Sequence, residues 1–255
     1  MQNNEEIIIL GGGQAAVYAA KEIRNHNKDS NLTIISEEDT LAYERPPLSK
    51  DYLTNKRKLQ DFIFFPDEFY LENNINFIKN KKIVDVNFEN KTLTSFSNDK
   101  FVYDKILIAT GSVNKTINFQ INNDKYKTLY LRNNIDSEIL KENLIKSNTV
   151  LIVGGGFIGL EIASSANELG KAVHVIEMGK QLMGRSIPKN ISNHCKIVHE
   201  SKGNNIYLNT TIKDIIPKQS NCKVTLSNNK VIEVDLIIVG IGSIPNTELF
   251  SQKKI

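Results

Sequence analysis

The sequence has only two cysteines among its 255 residues, Cys195 and Cys222, and they form no C-x-x-C or similar pair. It therefore gives no support to a cysteine-based metal site or a redox disulfide, and we expect both residues to be ordinary thiols. The four histidines form no cluster either. We predict no metal site.

The sequence also lacks an excess of one charge and a long apolar run. Its 32 basic residues are interspersed with 29 acidic ones, for a net charge of +3, which argues against nucleic acid as a partner. No apolar stretch approaches the ~20 residues of a membrane span, and the polar, acidic residues 1–6 do not resemble a signal peptide. We expect a cytoplasmic α/β protein of one to two domains that binds neither nucleic acid nor a membrane.

Two glycine-rich turns are present, each between a short β-branched strand and an apolar, alanine-containing helix. In such a turn the first glycine permits the bend, the second lets backbone N–H groups approach a pyrophosphate, and the third small residue lets the helix pack on the strand. The helix N-terminus then presents unpaired donors to the phosphate. The positions are Gly11, Gly13, Ala15 and Ala16 in the first turn, and Gly154, Gly156, Phe157, Ile158 and Gly159 in the second. This context predicts two dinucleotide sites, and a chain with two such sites usually passes electrons between them.

Each turn is followed by an acidic residue at the end of the next apolar strand, Glu37 in the first half and Glu177 in the second. A carboxylate at this place can accept hydrogen bonds from ribose hydroxyls. Glu177 would repel a 2′-phosphate, and no arginine follows it directly, although Lys180 is close in sequence. We therefore predict a preference for NADH over NADPH.

The order of predicted elements repeats along the chain. Each half has a strand–helix–strand unit, then short strands, then an aspartate-led apolar strand that ends in glycine, as in residues 104–111 and 235–242. Strand–helix alternation predicts a parallel sheet with right-handed crossovers. We expect the first set of short strands, residues 75–103, to form a small antiparallel insertion. The predicted fold is α/β, with two Rossmann-like, three-layer dinucleotide-binding domains.

Further segments carry a resemblance to a known family. They are residues 43–53 (YERPPLSKDYL), 109–111 (ATG), 131–132 (LR), 159–163 (GLEIA) and 240–246 (GIGSIPN). Together with the two turns, they make the chain resemble the ferredoxin reductase type of the FAD-dependent pyridine nucleotide-disulfide oxidoreductase superfamily. The resemblance covers the whole chain.

The resemblance implies FAD at the first turn and NADH at the second. It implies contacts from Gly11, Gly13, Ala15 and Glu37 to the ADP part of FAD. It places Arg45 and Lys50 in a flavin-side segment, and Ile83 with its backbone facing the adenine. The remaining implied cofactor-binding residues are Ala109, Thr110, Gly111 and Arg132 for FAD, and Gly242 beside the second site.

The resemblance also places Lys50 and Glu161 beside the flavin, as the predicted catalytic pair. A lysine there can donate a hydrogen bond and stabilise negative charge on the reduced ring, and a carboxylate keeps the lysine charged. Disulfide-reducing relatives carry cysteine in this segment, whereas this chain has Tyr43 to Lys50. The implied function is an NADH-dependent, FAD-containing reductase that passes electrons to a ferredoxin or a rubredoxin-type carrier.

The resemblance implies three segments: an FAD-binding domain over residues 1–112, an NADH-binding domain over residues 113–246, and the start of a return to the first domain over residues 247–255. Family members continue beyond this point, so we expect the first domain to be incomplete. A fragment of a longer protein, one half of a split enzyme completed by a second chain, and a degenerate reading frame all remain open. So do a nucleotide-binding protein without reductase turnover and a flavin reductase whose acceptor is dioxygen, a quinone or a nitrite-reducing centre.

Overall fold

The computed structural model describes residues 4–117 and 128–251. Its contacts divide the chain into two compact units. Unit 1 comprises Met1–Glu44, Leu59–Val113 and Pro245–Ile255, and unit 2 comprises Arg45–Lys58 and Asn114–Ile244. The division differs from the predicted segments mainly in grouping Arg45–Lys58 with unit 2. Parts of the polar segment at residues 112–127 and of the predicted return at residues 247–255 lie outside the described residues.

In its described residues, unit 1 contains seven strands and two α-helices. The strands are β1 (Glu6–Leu10), β2 (Asn31–Ile35), β3 (Ile75–Ile78), β4 (Ile83–Asn87), β5 (Thr92–Ser95), β6 (Lys100–Val102) and β7 (Lys105–Ile108), and the helices are α1 (Gln14–His26) and α2 (Asp67–Glu72). A parallel sheet has the order β3-β2-β1-β7, and an antiparallel sheet has the order β4-β5-β6.

The two faces of β1 serve two cores. Ile7 and Ile9 pack with Ala16, Val17 and Ala20 of α1, whereas Ile8 and Leu10 belong to the cluster that contains Val86 and Leu93 of the antiparallel sheet. Successive side chains of a strand point to opposite faces, so one strand can be covered on both sides. The predicted three-layer arrangement of unit 1 is confirmed.

One expectation about the short strands is wrong. Residues 75–78 do not join an antiparallel insertion, because β3 pairs parallel to β2, with Ile75 opposite Leu32. A parallel neighbour requires a crossover connection, and the connection between β2 and β3 includes α2, for which we predict no helix from the sequence. Only β4, β5 and β6 form the antiparallel sheet.

Unit 2 repeats this architecture, and β8 and β17 lie where the chain passes between the units. The strands are β8 (Ser112–Asn114), β9 (Thr128–Leu129), β10 (Thr149–Val153), β11 (Ala172–Ile176), β12 (Asn205–Tyr207), β13 (Ile212–Pro217), β14 (Cys222–Leu226), β15 (Val231–Val234), β16 (Leu236–Val239) and β17 (Ser243–Pro245), and the helices are α3 (Asn134–Lys146), α4 (Phe157–Glu168) and α5 (Lys189–Ser201). A parallel sheet has the order β12-β11-β10-β16-β9, and β13-β14-β15 form an antiparallel sheet.

The antiparallel sheet of unit 2 covers one face of its parallel sheet. Leu151 of β10 and Ile237 of β16 share a buried cluster with Val224 and Leu226 of β14. The repeat predicted from the sequence therefore corresponds to two units with the same arrangement of sheets. Within the residues that the structure describes, no helix has both the length and the apolar character needed to cross a membrane.

Candidate functional site

The first glycine turn joins β1 to α1. Gly11 has φ +120°, and a methyl group on it would lie 2.2 Å from the Ala109 carbonyl oxygen. A methyl group on Gly12 would lie 2.3 Å from the Ser36 hydroxyl oxygen. Both positions therefore require glycine, because contacts this short and, at Gly11, a positive φ exclude a side chain.

Gly13 differs from its neighbours because a methyl group on it would meet no atom within 4 Å. Gly13 is also the N-cap of α1; no side chain caps this helix, and no acidic residue lies in its first turn. Open space beside uncapped N–H donors fits an anion such as a pyrophosphate. Ala15 is exposed at this end of the helix, whereas Ala16 is fully buried.

The other sequence-predicted residues of unit 1 lie at the ends of neighbouring strands. The Ala109 N–H donates to the Leu10 carbonyl oxygen at 2.8 Å, the Thr110 hydroxyl donates to the Asn246 carbonyl oxygen at 2.7 Å, and Gly111 has φ +71°. Ile83 begins β4 and is 9% exposed. Ala109, Thr110 and Gly111 follow the end of β7 and, like the glycine turn, lie at the edge of the parallel sheet where α/β proteins bind ligands, whereas Ile83 belongs to the antiparallel sheet.

Glu37 forms an ion pair with Lys82 at 2.9 Å, and both side chains are more than half exposed. No sequence motif indicates Lys82, which lies 45 residues further along the chain. An exposed pair of this kind is weak, so the Glu37 carboxylate can exchange Lys82 for another partner at little cost.

The second glycine turn joins β10 to α4 and has the same construction. Gly154 has φ +111°, and a methyl group on it would lie 2.4 Å from the Gly240 carbonyl oxygen. A methyl group on Gly156, the N-cap of α4, would meet no atom within 4 Å. Phe157 and Ile158 follow and are 54% and 44% exposed. This turn, too, leaves room for a pyrophosphate beside uncapped donors.

Gly159 lies where α4 crosses the turn, and a methyl group on it would be 2.1 Å from the Gly154 carbonyl oxygen. The third position of this motif is thus a true requirement for glycine. Gly242, the other glycine predicted for this site, has φ +109°, and a methyl group there would be 3.6 Å from the Arg185 guanidinium. Arg185 was missed because its sequence neighbours carry no motif.

Glu177 is held in place by the backbone. The Gly155 N–H donates to its Oε2 atom and the Gly179 N–H donates to its Oε1 atom, both at 2.7 Å. Each carboxylate oxygen keeps a lone pair for a further donor. The carboxylate is therefore fixed at the turn in the orientation in which it could accept hydroxyl groups.

The structure brings Lys50 and Glu161 together, although 111 residues separate them. The Lys50 Nζ atom lies 2.8 Å from Glu161 Oε1, with the two side chains 45% and 29% exposed. Lys50 also donates to the Pro46 carbonyl oxygen at 3.2 Å. The Ser49 hydroxyl donates to the other carboxylate oxygen, Oε2, at 2.6 Å. A partly exposed ammonium group with an oriented counter-ion is suited to binding and stabilising negative charge on a ligand.

Arg45 and Arg132 also lie together in unit 2. The Arg45 guanidinium donates to the Arg132 carbonyl oxygen at 2.7 Å, and the Arg132 N–H donates to Asp136 Oδ2 at 2.7 Å. Asp136 completes the capping box of α3 with Asn133. The start of α3 thus positions both arginines.

The cysteines take no part in these arrangements. Both are free thiols, Cys195 half-buried and Cys222 buried, and burial raises the pKa of the Cys222 thiol to about 11. Among the described residues, no group of three or more histidine, cysteine, aspartate or glutamate side chains could hold a metal ion.

Comparison with known proteins identifies similar sequences and a family. A family model described as pyridine nucleotide-disulphide oxidoreductase matches residues 5–255. A rubredoxin-NAD(+) reductase of Pseudomonas putida is 32% identical, with 96% of this chain and 64% of the relative aligned. A dioxygenase ferredoxin--NAD(+) reductase component of Photorhabdus laumondii, which serves 3-phenylpropionate/cinnamic acid dioxygenase, is 33% identical over 94% of this chain and 60% of the relative.

A solved structure is similar as well. The ferredoxin reductase for the CYP199A2 system of Rhodopseudomonas palustris is 30% identical and superimposes with a TM-score of 0.90, covering 96% of this chain and 61% of that one. The chain thus spans about three fifths of the length of these relatives.

Proposed function

The chain belongs to the pyridine nucleotide-disulphide oxidoreductase family, and on that premise we propose that it is an NADH-dependent, FAD-containing reductase that delivers electrons to a ferredoxin or rubredoxin-type carrier. The family implies a flavin and an NAD-type cofactor. The observation that carries the proposal is the repeated turn. Each unit has one open glycine N-cap, Gly13 or Gly156, and two residues before it a glycine, Gly11 or Gly154, that no other residue could replace.

In unit 1, FAD would be held by the turn and the neighbouring strand ends. The N-terminal N–H groups of α1, from Gly13 to Ala16, would bind the pyrophosphate, and Gly11 allows its approach. Glu37 would accept ribose hydroxyls in exchange for Lys82. Ile83, Ala109, Thr110 and Gly111 would line the rest of the site. Arg45 and Arg132 are proposed as further flavin-binding residues.

In unit 2, NADH would be held by the turn from Gly154 to Gly159, with Gly242 beside it. Glu177 would accept the hydroxyls of the adenosine ribose, since two backbone N–H groups already orient its carboxylate. A 2′-phosphate would meet this fixed negative charge, which supports the preference for NADH over NADPH.

Lys50 and Glu161 are proposed as the groups that act at the flavin ring. A bound flavin can accept a hydride and release electrons one at a time, which is the chemistry required between NADH and a one-electron carrier. Lys50 would donate a hydrogen bond to the ring and stabilise negative charge on it. Glu161 would direct the Lys50 ammonium group, because one of its oxygens lies 2.8 Å from Nζ.

The proposal is tested by the visible absorption spectrum of the purified chain, before and after incubation with FAD. We expect flavin bands in the protein fraction, bleaching of these bands when NADH is added without oxygen, and recovery when an oxidised ferredoxin or rubredoxin is added. NADPH should bleach the bands more slowly. A folded chain that FAD cannot reconstitute, or bound flavin that NADH does not bleach, would contradict the proposal.

A further inference from the structure

Two buried serines of unit 2 bind the residues that directly precede Lys50. Ser137 on α3 has no exposed surface, and its hydroxyl donates to the Leu48 carbonyl oxygen at 2.8 Å. Ser165 on α4 is 5% exposed, and its hydroxyl donates to the Ser49 carbonyl oxygen at 2.6 Å. Two different helices therefore hold two consecutive peptide groups next to the lysine.

These two carbonyls end a helical turn. Pro46–Ser49 is a 3-10 helix, and Lys50 is its C-cap. The last carbonyls of a helix have no N–H partner within the helix, so side chains or water must bond them. Leu48 and Ser49 are 2% and 3% exposed. The serine hydroxyls therefore supply the hydrogen bonds that solvent supplies at an exposed helix end.

The anchoring extends beyond the turn. The whole segment Arg45–Lys58 groups with unit 2, although the residues before and after it belong to unit 1. Lys56 forms an ion pair with Glu168 of α4 at 2.5 Å. The Lys141 ammonium of α3 lies 3.6 Å from the centroid of the Tyr52 ring. Helices α3 and α4 of unit 2 thus contact this segment at several points between Leu48 and Lys56.

We propose that Ser137 and Ser165 are positioning residues for Lys50. They bind the peptide groups on which Lys50 is built, so that its ammonium group and the Glu161 carboxylate keep a common geometry within unit 2. Nothing in the sequence pattern singles out either serine. The inference rests on the proposed role of Lys50 at the flavin.

The first test is amide hydrogen exchange in the unliganded chain. The N–H groups of Lys50 and Tyr52 both donate to the Pro47 carbonyl oxygen, at 2.9 and 3.1 Å. In Ser165→Ala and Ser137→Ala these amides should exchange about tenfold faster, because a carbonyl that anchors the turn loses its donor. Ser164→Ala is the matched control, since Ser164 is the exposed neighbour on the same helix and its loss should leave both rates unchanged. Unchanged exchange in both anchoring variants would overturn the proposal.

The second test is a double-mutant cycle on the rate at which NADH bleaches the flavin of the reconstituted protein. Ser165→Ala should slow bleaching by about three- to tenfold in the original chain and have no effect in a Lys50→Met background, because it acts through Lys50. An equal slowing in both backgrounds would mean a general structural role and would overturn the inference. If Lys50→Met itself leaves the rate unchanged, the proposed role of Lys50 fails, and the positioning role fails with it.

Discussion

In unit 1 a methyl group on Gly11 would lie 2.2 Å from the Ala109 carbonyl oxygen, and in unit 2 a methyl group on Gly154 would lie 2.4 Å from the Gly240 carbonyl oxygen. The two turns also share an open N-cap glycine. They differ at the third small position, where Ala16 is buried but Gly159 has no room for a methyl group. The residue type at the first positions of the motif is thus determined by the turn itself. The residue type at the third position is determined by how closely the helix passes over the turn.

The acidic residues of the two units differ as well. Glu177 accepts from two backbone N–H groups, one in the glycine turn and one just after Glu177, whereas Glu37 is paired with the exposed Lys82. A carboxylate fixed by the backbone is ready for a ligand, and one paired with a mobile lysine must be released first. At the same position of the motif, unit 2 therefore has a carboxylate already oriented for a ligand, and unit 1 has a carboxylate that must first leave its lysine partner.

The largest difference in stability should appear when each unit receives the residue that the other unit has at the third position of the motif. Gly159→Ala should destabilise unit 2 by about 3 kcal/mol, because the methyl group meets a backbone oxygen that cannot move away. The matched change Ala16→Gly should cost only about 1–2 kcal/mol in unit 1, from a lost buried methyl and a weaker helix. Urea unfolding, with hydrogen exchange to assign the unit affected, measures both. A cost for Gly159→Ala no larger than that for Ala16→Gly would show that α4 can move away from its turn and that glycine is not required at this position.

Alanine at the open glycines should separate binding from folding. Gly13→Ala and Gly156→Ala add a methyl group to empty space at φ −92° and −83°, so neither should change the urea midpoint. Each should weaken one ligand by about tenfold, or ~1.4 kcal/mol: FAD for Gly13→Ala and NADH for Gly156→Ala. Calorimetric titration with both ligands provides the crossed control. A variant that weakens the other ligand would contradict the assignment of the two sites.

Replacement by glutamine should reduce the free energy of unfolding by different amounts at the two acidic residues. Glu177→Gln should lower the free energy of unfolding by at least about 1 kcal/mol, because the amide NH2 cannot accept from one of the two backbone N–H groups and the other hydrogen bond loses its charge. Glu37→Gln should cost less than about 0.5 kcal/mol, and salt should abolish this effect, since the ion pair is exposed. Unfolding at low and high salt distinguishes them. A salt-sensitive Glu177→Gln effect would argue against backbone fixation.

The smallest predicted effect is a pH dependence of the stability of unit 2. His174 on β11 occupies the strand position that Thr33 has on β2, and burial, aided by Lys230, lowers its pKa below the usual 6.5. The unfolded chain then binds more protons below that pH, so stability is complete above pH 6.5 and falls as the pH decreases through it. His199, also in unit 2, has its pKa lowered by burial and acts in the same direction.

His174→Thr should therefore reduce the loss of stability between pH 7.5 and 5.5, measured as a shift of the urea midpoint. The exposed His26 in unit 1 offers the control, since its replacement by threonine should leave the pH dependence of unit 2 unchanged. An undiminished pH dependence in His174→Thr would exclude this residue as its source.

The sequence by itself was sufficient for the local features. Glycine spacing predicted both turns, because the steric limit on φ acts at the residue itself. Short β-branched, apolar runs predicted β1, β2, β10 and β11. The two acidic residues, Glu37 and Glu177, could be predicted because each comes just after a strand, and the parallel sheet brings the ends of its strands to the same edge.

Only the tertiary structure decided which distant residues meet. Residues 75–78 join the parallel sheet because a short helix precedes them. Arg45–Lys58 groups with unit 2, where Ser137 and Ser165 bind two of its peptide carbonyls. Lys82 and Arg185 lie beside Glu37 and Gly242 without any motif. Such contacts arise from packing between segments tens of residues apart, and a periodicity of two or 3.6 residues carries no information about them.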